Sequence, residues 1–172
     1  MPSPLTHAAA GAAVAAWLEP RIHGSRRVIT VAALAATLPD LDLIGWPLGI
    51  PDNSLLAHRG LTHSIPFALA LGALFAVAGF RRPEWTGARL RIGIVLALAI
   101  MTHGLLDSTT TYGWGVEFWA PFSQVRYRLY PLLAEVNHHR WVAFEREIGL
   151  ILIPALVLLW LGRRIRRPSG GA

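Results

Sequence analysis

Residues 92–107, with the sequence IGIVLALAIMTHGLLD, decide the fold class of this chain. The run is almost continuously apolar and does not alternate, which favours a helix that is buried on all sides. It ends on His103 and Asp107, whose spacing of four residues places both side chains on one helix face. The stretch therefore predicts a membrane helix that carries a polar pair at one end.

Four further apolar segments surround this one, at 5–18, 28–38, 65–80 and 148–161. The chain has 172 residues, of which 53% are hydrophobic and only 15% are charged. A soluble domain has about a quarter charged residues, and a full membrane span needs about 20 residues. Segments 5–18 and 28–38 are short for a full membrane span. The other three segments approach the length of a full span once their flanking residues are included.

We therefore predict an all-α fold, a multi-pass transmembrane bundle of about five helices with polar loops on one face. Residues 1–167 are expected to form a single membrane-embedded domain, and residues 168–172 a disordered tail. Ser3 before Pro4, and Ser64 before Pro66, predict capped helix starts. Pro39 is expected to end the second segment, and Pro154 to kink the last one.

The basic residues separate from the His and Asp motifs along the chain. All 16 are Arg, and 11 of them lie in connections that alternating spans place on one side of the membrane. The positive-inside rule assigns that side to the cytoplasm. We therefore expect an inner-membrane protein whose polar site faces the extracytoplasmic side, and no nucleic-acid partner.

Short motifs at the ends of the apolar segments supply the candidate chemistry. The chain has no Cys, so a metal site must use His, Asp, Glu, backbone or water. His103 and Asp107 could bind one cation, or Asp107 could orient His103, or the pair could simply cap the helix end. Asp40 and Asp42 follow Pro39, where an ordinary turn is the alternative to ligation.

The remaining motifs lie just before the third segment and at the start of the first segment. His58 and His63 flank Gly60, and a position near a helix N-terminus favours the neutral imidazole that a metal requires. Arg59 is a candidate for binding a substrate phosphate or carboxylate. His7 lies at the start of the first segment, where an interfacial His without a ligand role is the alternative.

Together these motifs offer more donors than one tetrahedral ion needs, so a two-metal site bridged by Asp107 or Asp40 is an open alternative. Imidazole with carboxylate suits Zn²⁺, and carboxylate-rich sets also bind Mn²⁺ or Fe²⁺. Weaker candidates are two loop histidines and two acids that open the last segment. The seven donors are His7, Asp40, Asp42, His58, His63, His103 and Asp107, and the weaker candidates are His138, His139, Glu145 and Glu147.

Taken in order, these motifs resemble the YdjM family of LexA-regulated, inner-membrane, metal-dependent hydrolases. The likeness covers His7 to Ser123 and rests on the strings LPDLD ending at Asp42, HRGLTHS ending at Ser64, and HGLLD ending at Asp107. That family is similar to zinc-dependent phospholipase C and P1 nuclease, all-α enzymes with multinuclear zinc sites. The resemblance implies metal ligation by His7, Asp40, His63, His103 and Asp107. We assign catalytic roles to Asp42, His58 and Arg59.

These features predict a membrane-bound, metal-dependent hydrolase of phosphoesters, with phospholipid as one option among lipid and small-molecule substrates. The expected cofactor is a divalent metal, Zn first and Mn or Fe as alternatives. A metal or ion transporter is the main competing hypothesis, and a non-catalytic membrane protein is another. Transport sites lie near the membrane midplane in broken helices, whereas these donors lie at helix ends. The oligomeric state is left open.

Overall fold

The computed structural model describes residues 2–19, 25–110, 114–129 and 140–165, and in these ranges the fold is a helical bundle. The last helix is continuous but contains a π-helical turn between two α-helical pieces. The all-α class is confirmed. The helices are α1 Pro4–Leu18, α2 Ser25–Ala35, α3 Ile65–Gly79, α4 Arg89–Ser108, and α5, which comprises Arg140–Glu147, the π turn Ile148–Leu152 and Ile153–Ile165.

Three helical stretches are long and apolar enough to cross a membrane: Arg26–Gly45, Pro83–Ser108 and Trp141–Ile165. α3 is apolar but shorter, at 15 residues. The first stretch reaches this length because a 3₁₀ segment, Leu38–Gly45, continues α2. α2 itself ends at Ala35, before Pro39 as predicted, and Pro39 then lies in the first turn of the 3₁₀ segment, where proline is well tolerated.

The predicted N-caps are confirmed at two helix starts. The Ser3 hydroxyl accepts a hydrogen bond from the Thr6 amide, and the Ser64 hydroxyl accepts one from the Phe67 amide. The kink predicted at Pro154 stays a prediction, and a π turn, Ile148–Leu152, lies just before this residue. Proline lacks the amide that would continue the α-helical ladder, and π turns occur where that ladder is interrupted.

Small residues bring neighbouring helices into close contact. A Cβ added to Gly11 of α1 would lie 2.5 Å from the Ala36 Cβ, just after α2. A Cβ added to Gly72 of α3 would lie 2.7 Å from the Ala97 amide nitrogen of α4. Since lipid tails are as apolar as the helices, close packing of this kind holds a membrane bundle together.

The two ends of the bundle differ in charge. At one end, Arg27 and Arg89 donate to the Gly79 and Phe80 carbonyls, so two guanidinium groups cap the C-terminus of α3. The His and Asp motifs lie at the other end, where α1 and α3 begin and α4 finishes. For the described residues, the predicted separation of Arg-rich loops from these motifs is therefore observed. The tail predicted at 168–172 lies outside the described residues, and the single-domain organisation stays a prediction.

Candidate metal centre

Four parts of the chain bring the predicted site residues together at one end of the bundle. They are the first turn of α1, the 3₁₀ segment Leu38–Gly45, the loop and short 3₁₀ turn before α3, and the last turn of α4. All eight residues to which we assign ligand or catalytic roles lie in this region. These residues are His7, Asp40, Asp42, His58, Arg59, His63, His103 and Asp107.

The donors form two groups that share Asp107. In the first group, Asp40, His58, His63 and Asp107 offer donor atoms that all lie within 4.8 Å of one another. In the second group, His7, His103 and Asp107 do the same. Because metal–ligand bonds are about 2 Å long, the donors of one ion lie within about 4 Å of each other, close to the observed spacing.

Several buried donor atoms in these groups have no hydrogen-bond partner among the described residues. They are both ring nitrogens of His7, Nε2 of His63 and Oδ1 of Asp107. His7 Nε2 lies 3.6 Å from Asp107 Oδ1, and His63 Nε2 lies 3.5 Å from Asp107 Oδ2. A buried polar atom without a partner costs about 1–3 kcal/mol, and such atoms are rare. Their concentration around one carboxylate is what a cation-binding centre requires.

The tautomer of His103 follows from its backbone contact. Nδ1 lies 2.7 Å from the Ala36 carbonyl, which can only accept, so Nδ1 donates. In the neutral ring, Nε2 then carries a lone pair, and that atom lies 3.2 Å from Asp40 Oδ1. A lone pair and a carboxylate oxygen repel unless a cation or a proton lies between them. Metal-bound histidines commonly donate their second N–H to a backbone carbonyl in this way.

His63 has the same arrangement, with a carboxylate in place of the carbonyl. Nδ1 lies 3.1 Å from Asp42 Oδ2, which leaves Nε2 directed towards Asp40 and Asp107. Burial lowers the pKa of His63, but the neighbouring Asp107 and Asp42 carboxylates outweigh burial and raise that pKa to about 8. The helix-dipole effect expected at His63 is therefore outweighed by the carboxylates, and the centre favours positive charge at this position.

Asp42 connects the two histidines that flank Gly60. Its carboxylate accepts from His58 Nδ1 at 2.7 Å, the Thr62 hydroxyl at 2.6 Å and the Arg59 amide at 3.3 Å, besides its contact with His63. A carboxylate has about four lone-pair sites, so these donors occupy its capacity. The geometry suits Asp42 to orienting His58 and His63, and its catalytic role stays a prediction.

Asp42→Asn tests this orienting role. We expect metal affinity to fall about 10- to 100-fold without complete loss, because the amide cannot accept from two imidazoles as the carboxylate does. Zn²⁺ titration of the purified protein measures the effect. Asp52→Asn, at an exposed acidic residue, is the control that removes the same charge. An unchanged dissociation constant in Asp42→Asn would show that His58 and His63 do not need this carboxylate.

Arg59 donates a hydrogen bond to the Asp107 carboxylate and so helps to hold it in place. Its φ of 67° lies in the left-handed region, which is strained for a residue with a Cβ, and only 1% of the residue is exposed. Nε donates to Asp107 Oδ2 at 3.0 Å, and Nη2 donates to the Thr110 hydroxyl at 2.9 Å. The phosphate contact assigned to Arg59 stays a prediction; the contacts observed orient Asp107 and partly balance its charge.

The centre is most open at Asp40. The Asp40 side chain is 13% exposed and His58 is 8% exposed, whereas the side chains of the other four donors are fully buried. The surface beside this opening is apolar: Leu41 and Ile44 are 59% and 58% exposed. The Trp46 ring stands edge-on to the His58 ring, with 5.6 Å between centroids. Apolar side chains thus lie beside the opening, near the end of the candidate span Arg26–Gly45.

Some weaker candidates lie away from both donor groups. Glu147 is buried against the first turn of α1, and Glu145 is exposed. His138 and His139 lie outside the described residues.

The close contacts at two glycines were not predicted from the motifs that contain them. A Cβ on Gly104 would lie 2.7 Å from the His63 carbonyl oxygen, and a Cβ on Gly60 would lie 2.5 Å from the Leu55 carbonyl oxygen. Their positions between paired donors, in HRGLTH and HGLLD, were the available signal. Both glycines let backbone approach backbone where the donors meet.

Comparisons with known proteins agree with the location of these motifs in a membrane protein. The sequence profile of a family described as YdjM inner membrane protein matches residues 1–168. The inner membrane protein YbcI of Escherichia coli (strain K12) is 29% identical over 177 residues, which cover 95% of this chain and all of YbcI. No solved structure matches the chain.

Proposed function

The chain belongs to the YdjM inner membrane protein family, and on that premise we propose that it is a membrane-bound, metal-dependent hydrolase of phosphoesters. The observation that carries the proposal is the cluster of buried, unpartnered donor atoms around Asp107. The reaction class comes from the resemblance of the motifs to metal-dependent hydrolases.

The donor set fits a divalent cation. His7, Asp40, His63, His103 and Asp107 would hold it, and the sharing of Asp107 by both groups favours two ions. Three imidazoles with two carboxylates suit Zn²⁺ first, with Mn²⁺ or Fe²⁺ as alternatives. A divalent cation at such a centre supplies Lewis acidity to a phosphoryl oxygen and lowers the pKa of water.

The remaining residues of the centre have separate tasks in this proposal. Arg59 holds Asp107 in place, and Asp42 holds His58 and His63 in fixed ring orientations. His58 lies beside the opening with its ring fixed by a carboxylate, so we assign proton exchange with the reacting groups to it. The buried walls around His7 and His103 exclude water, which strengthens electrostatic interactions inside the centre.

The surroundings of the opening favour a membrane lipid as the substrate. Exposed Leu41, Ile44 and Trp46 are costly in water but suited to a lipid interface. A lipid headgroup can reach Asp40 there while its chains stay beside these apolar side chains. The Arg-rich end opposite the centre supports an extracytoplasmic location for this opening by the positive-inside rule.

Metal analysis with an activity screen tests the proposal. We expect the purified protein to contain bound metal and to cleave a phosphodiester, and we expect His103→Ala to lose both properties because it removes a ligand of the proposed centre. Elemental analysis and release of nitrophenol from bis(p-nitrophenyl) phosphate measure the two properties. Thr102→Ala is the control, since that hydroxyl bonds to the Ala99 carbonyl and not to the centre.

Different results of these experiments would contradict the metal centre, the reaction or the lipid substrate. Equal metal content in wild type and His103→Ala would contradict the assignment of the centre. Bound metal without phosphodiester cleavage, but with uptake of the metal into liposomes, would establish a transporter instead. Cleavage of the soluble diester without cleavage of long-chain phospholipid in mixed micelles would contradict only the lipid substrate.

A further inference from the structure

α5 reaches the candidate metal centre through one buried carboxylate. Glu147 is only 6% exposed, and its Oε1 accepts from the Ser3 amide at 2.7 Å and from the hydroxyls of Ser3 and Thr6. Thr6 is fully buried and directly precedes His7. The carboxylate therefore holds the first turn of α1, the turn that carries His7.

Electrostatics favour this contact. A carboxylate in a membrane bundle is costly unless it has partners, and here three donors share one oxygen atom. The N-terminus of α1 adds the positive end of the helix dipole, which stabilises a negative charge within the first turn. Glu147 is thus suited to hold the first turn of α1.

The shape of α5 keeps Glu147 on the side that faces α1. The π turn Ile148–Leu152 begins directly after Glu147, and Ile151 and Ala155 are the next buried positions of α5. Ala155 packs against Ala9 and Ala13 of α1. Glu147, Ile151 and Ala155 are spaced four residues apart, whereas one α-helical turn has 3.6 residues. The π turn has more residues per turn, so it keeps these three positions on the same side of α5.

Within the part of the chain that the structure describes, no hydrogen bond orients the His7 ring. His63 and His103 each have Nδ1 held by an acceptor, whereas both ring nitrogens of His7 lack a partner among the described residues. The His7 ring stacks on the His103 ring, with 3.7 Å between centroids. The position of His7 Nε2 therefore depends on the helix turn that carries it.

We propose that Glu147 is a positioning residue of the metal centre: it anchors the first turn of α1 and thereby places His7 beside Asp107 and His103. This inference rests on the proposed function, because it takes His7 as a metal ligand. It assigns the last helix a direct part in the centre, although α5 contributes no member of either donor group.

Zn²⁺ titration of the full-length protein in detergent tests the inference. We expect Glu147→Ala to weaken the binding of one ion about 10- to 100-fold and to leave an ion held by Asp40 and His63 unaffected. Thr6→Val should act in the same direction, and Glu147→Gln should recover most of the affinity because its amide oxygen still accepts. Glu145→Ala, two residues away and exposed, is the matched control and should behave as wild type.

Amide hydrogen exchange over residues 3–10 gives a second measurement that needs no metal. Faster exchange in Glu147→Ala and Thr6→Val than in Glu145→Ala is the expected result. Unchanged exchange, or a lower melting temperature with Zn²⁺ affinity and stoichiometry intact, would overturn the positioning role. If the wild type binds no Zn²⁺, Mn²⁺ or Fe²⁺, the proposed function fails, and hydrogen exchange still decides whether Glu147 anchors α1.

Discussion

Asp107→Asn is expected to abolish high-affinity metal binding at both donor groups and to reduce phosphodiester cleavage to background. Asp107 belongs to both groups, so one substitution removes a ligand charge from each. The amide also replaces the carboxylate that balances the buried Arg59 guanidinium at 3.0 Å. Loss of a shared anionic ligand should weaken binding by on the order of 100-fold or more, which is about 2.7 kcal/mol. Elemental analysis and Zn²⁺ titration measure the change.

The control for Asp107→Asn is Glu84→Gln, which removes an equal charge at an exposed residue before α4. Asparagine has nearly the shape of aspartate and its carbonyl can still accept from Arg59, so the substitution preserves volume. Helix content by circular dichroism and the gel-filtration profile then report whether the bundle is intact. A folded Asp107→Asn protein that retains its full metal content would contradict a centre built around this residue.

Gly104→Ala should destabilise the bundle and impair metal binding, although alanine is the better helix former by about 1 kcal/mol. A Cβ at this position would lie 2.7 Å from the His63 carbonyl oxygen. The carbonyl oxygen belongs to the backbone and the Cβ is fixed rigidly to the backbone of α4, so α4 and the 3₁₀ turn Leu61–His63 must move apart. Overpacking of this kind costs about 1–3 kcal/mol, and the movement also carries His63 away from Asp107.

Gly93→Ala is the matched control because it makes the same change in the same helix. Its Cβ would lie 3.4 Å from the Ala76 Cβ and farther from other atoms, so space is nearly sufficient. We expect Gly93→Ala to keep wild-type metal affinity and a melting temperature equal to or above that of wild type. The same loss in both variants would mean that glycine flexibility in α4, and not the contact with His63, matters.

Much of this fold follows from hydropathy alone. The segment 92–106 predicts α4 because a continuous apolar run of that length has few other stable forms in lipid. Ser3 and Ser64 predict helix starts because a cap is a local interaction between residues three apart. Local chemistry could not predict the 3₁₀ segment Leu38–Gly45, where continuation after Pro39 depends on contacts with other parts of the chain.

The candidate site was predictable as a set of residues but not as a geometry. The motif spacings identify His103 and Asp107 as neighbours because both lie on one helix. The sharing of Asp107 between two groups, the Ala36 carbonyl behind His103 and the burial of Arg59 depend on packing between distant segments. Sequence periodicity carries no information on those contacts, so it could not predict that Arg59 lies against the Asp107 carboxylate.

The contact between Glu147 and the first turn of α1 has a consequence for biosynthesis. All five candidate ligands leave the ribosome well before Glu147, because the last of them is Asp107. A nascent or truncated chain that stops before α5 therefore contains every ligand but lacks the group that holds α1 in place. Tight binding of the ion that uses His7 would then follow completion of the polypeptide, so that unfinished chains in the membrane compete poorly for that ion.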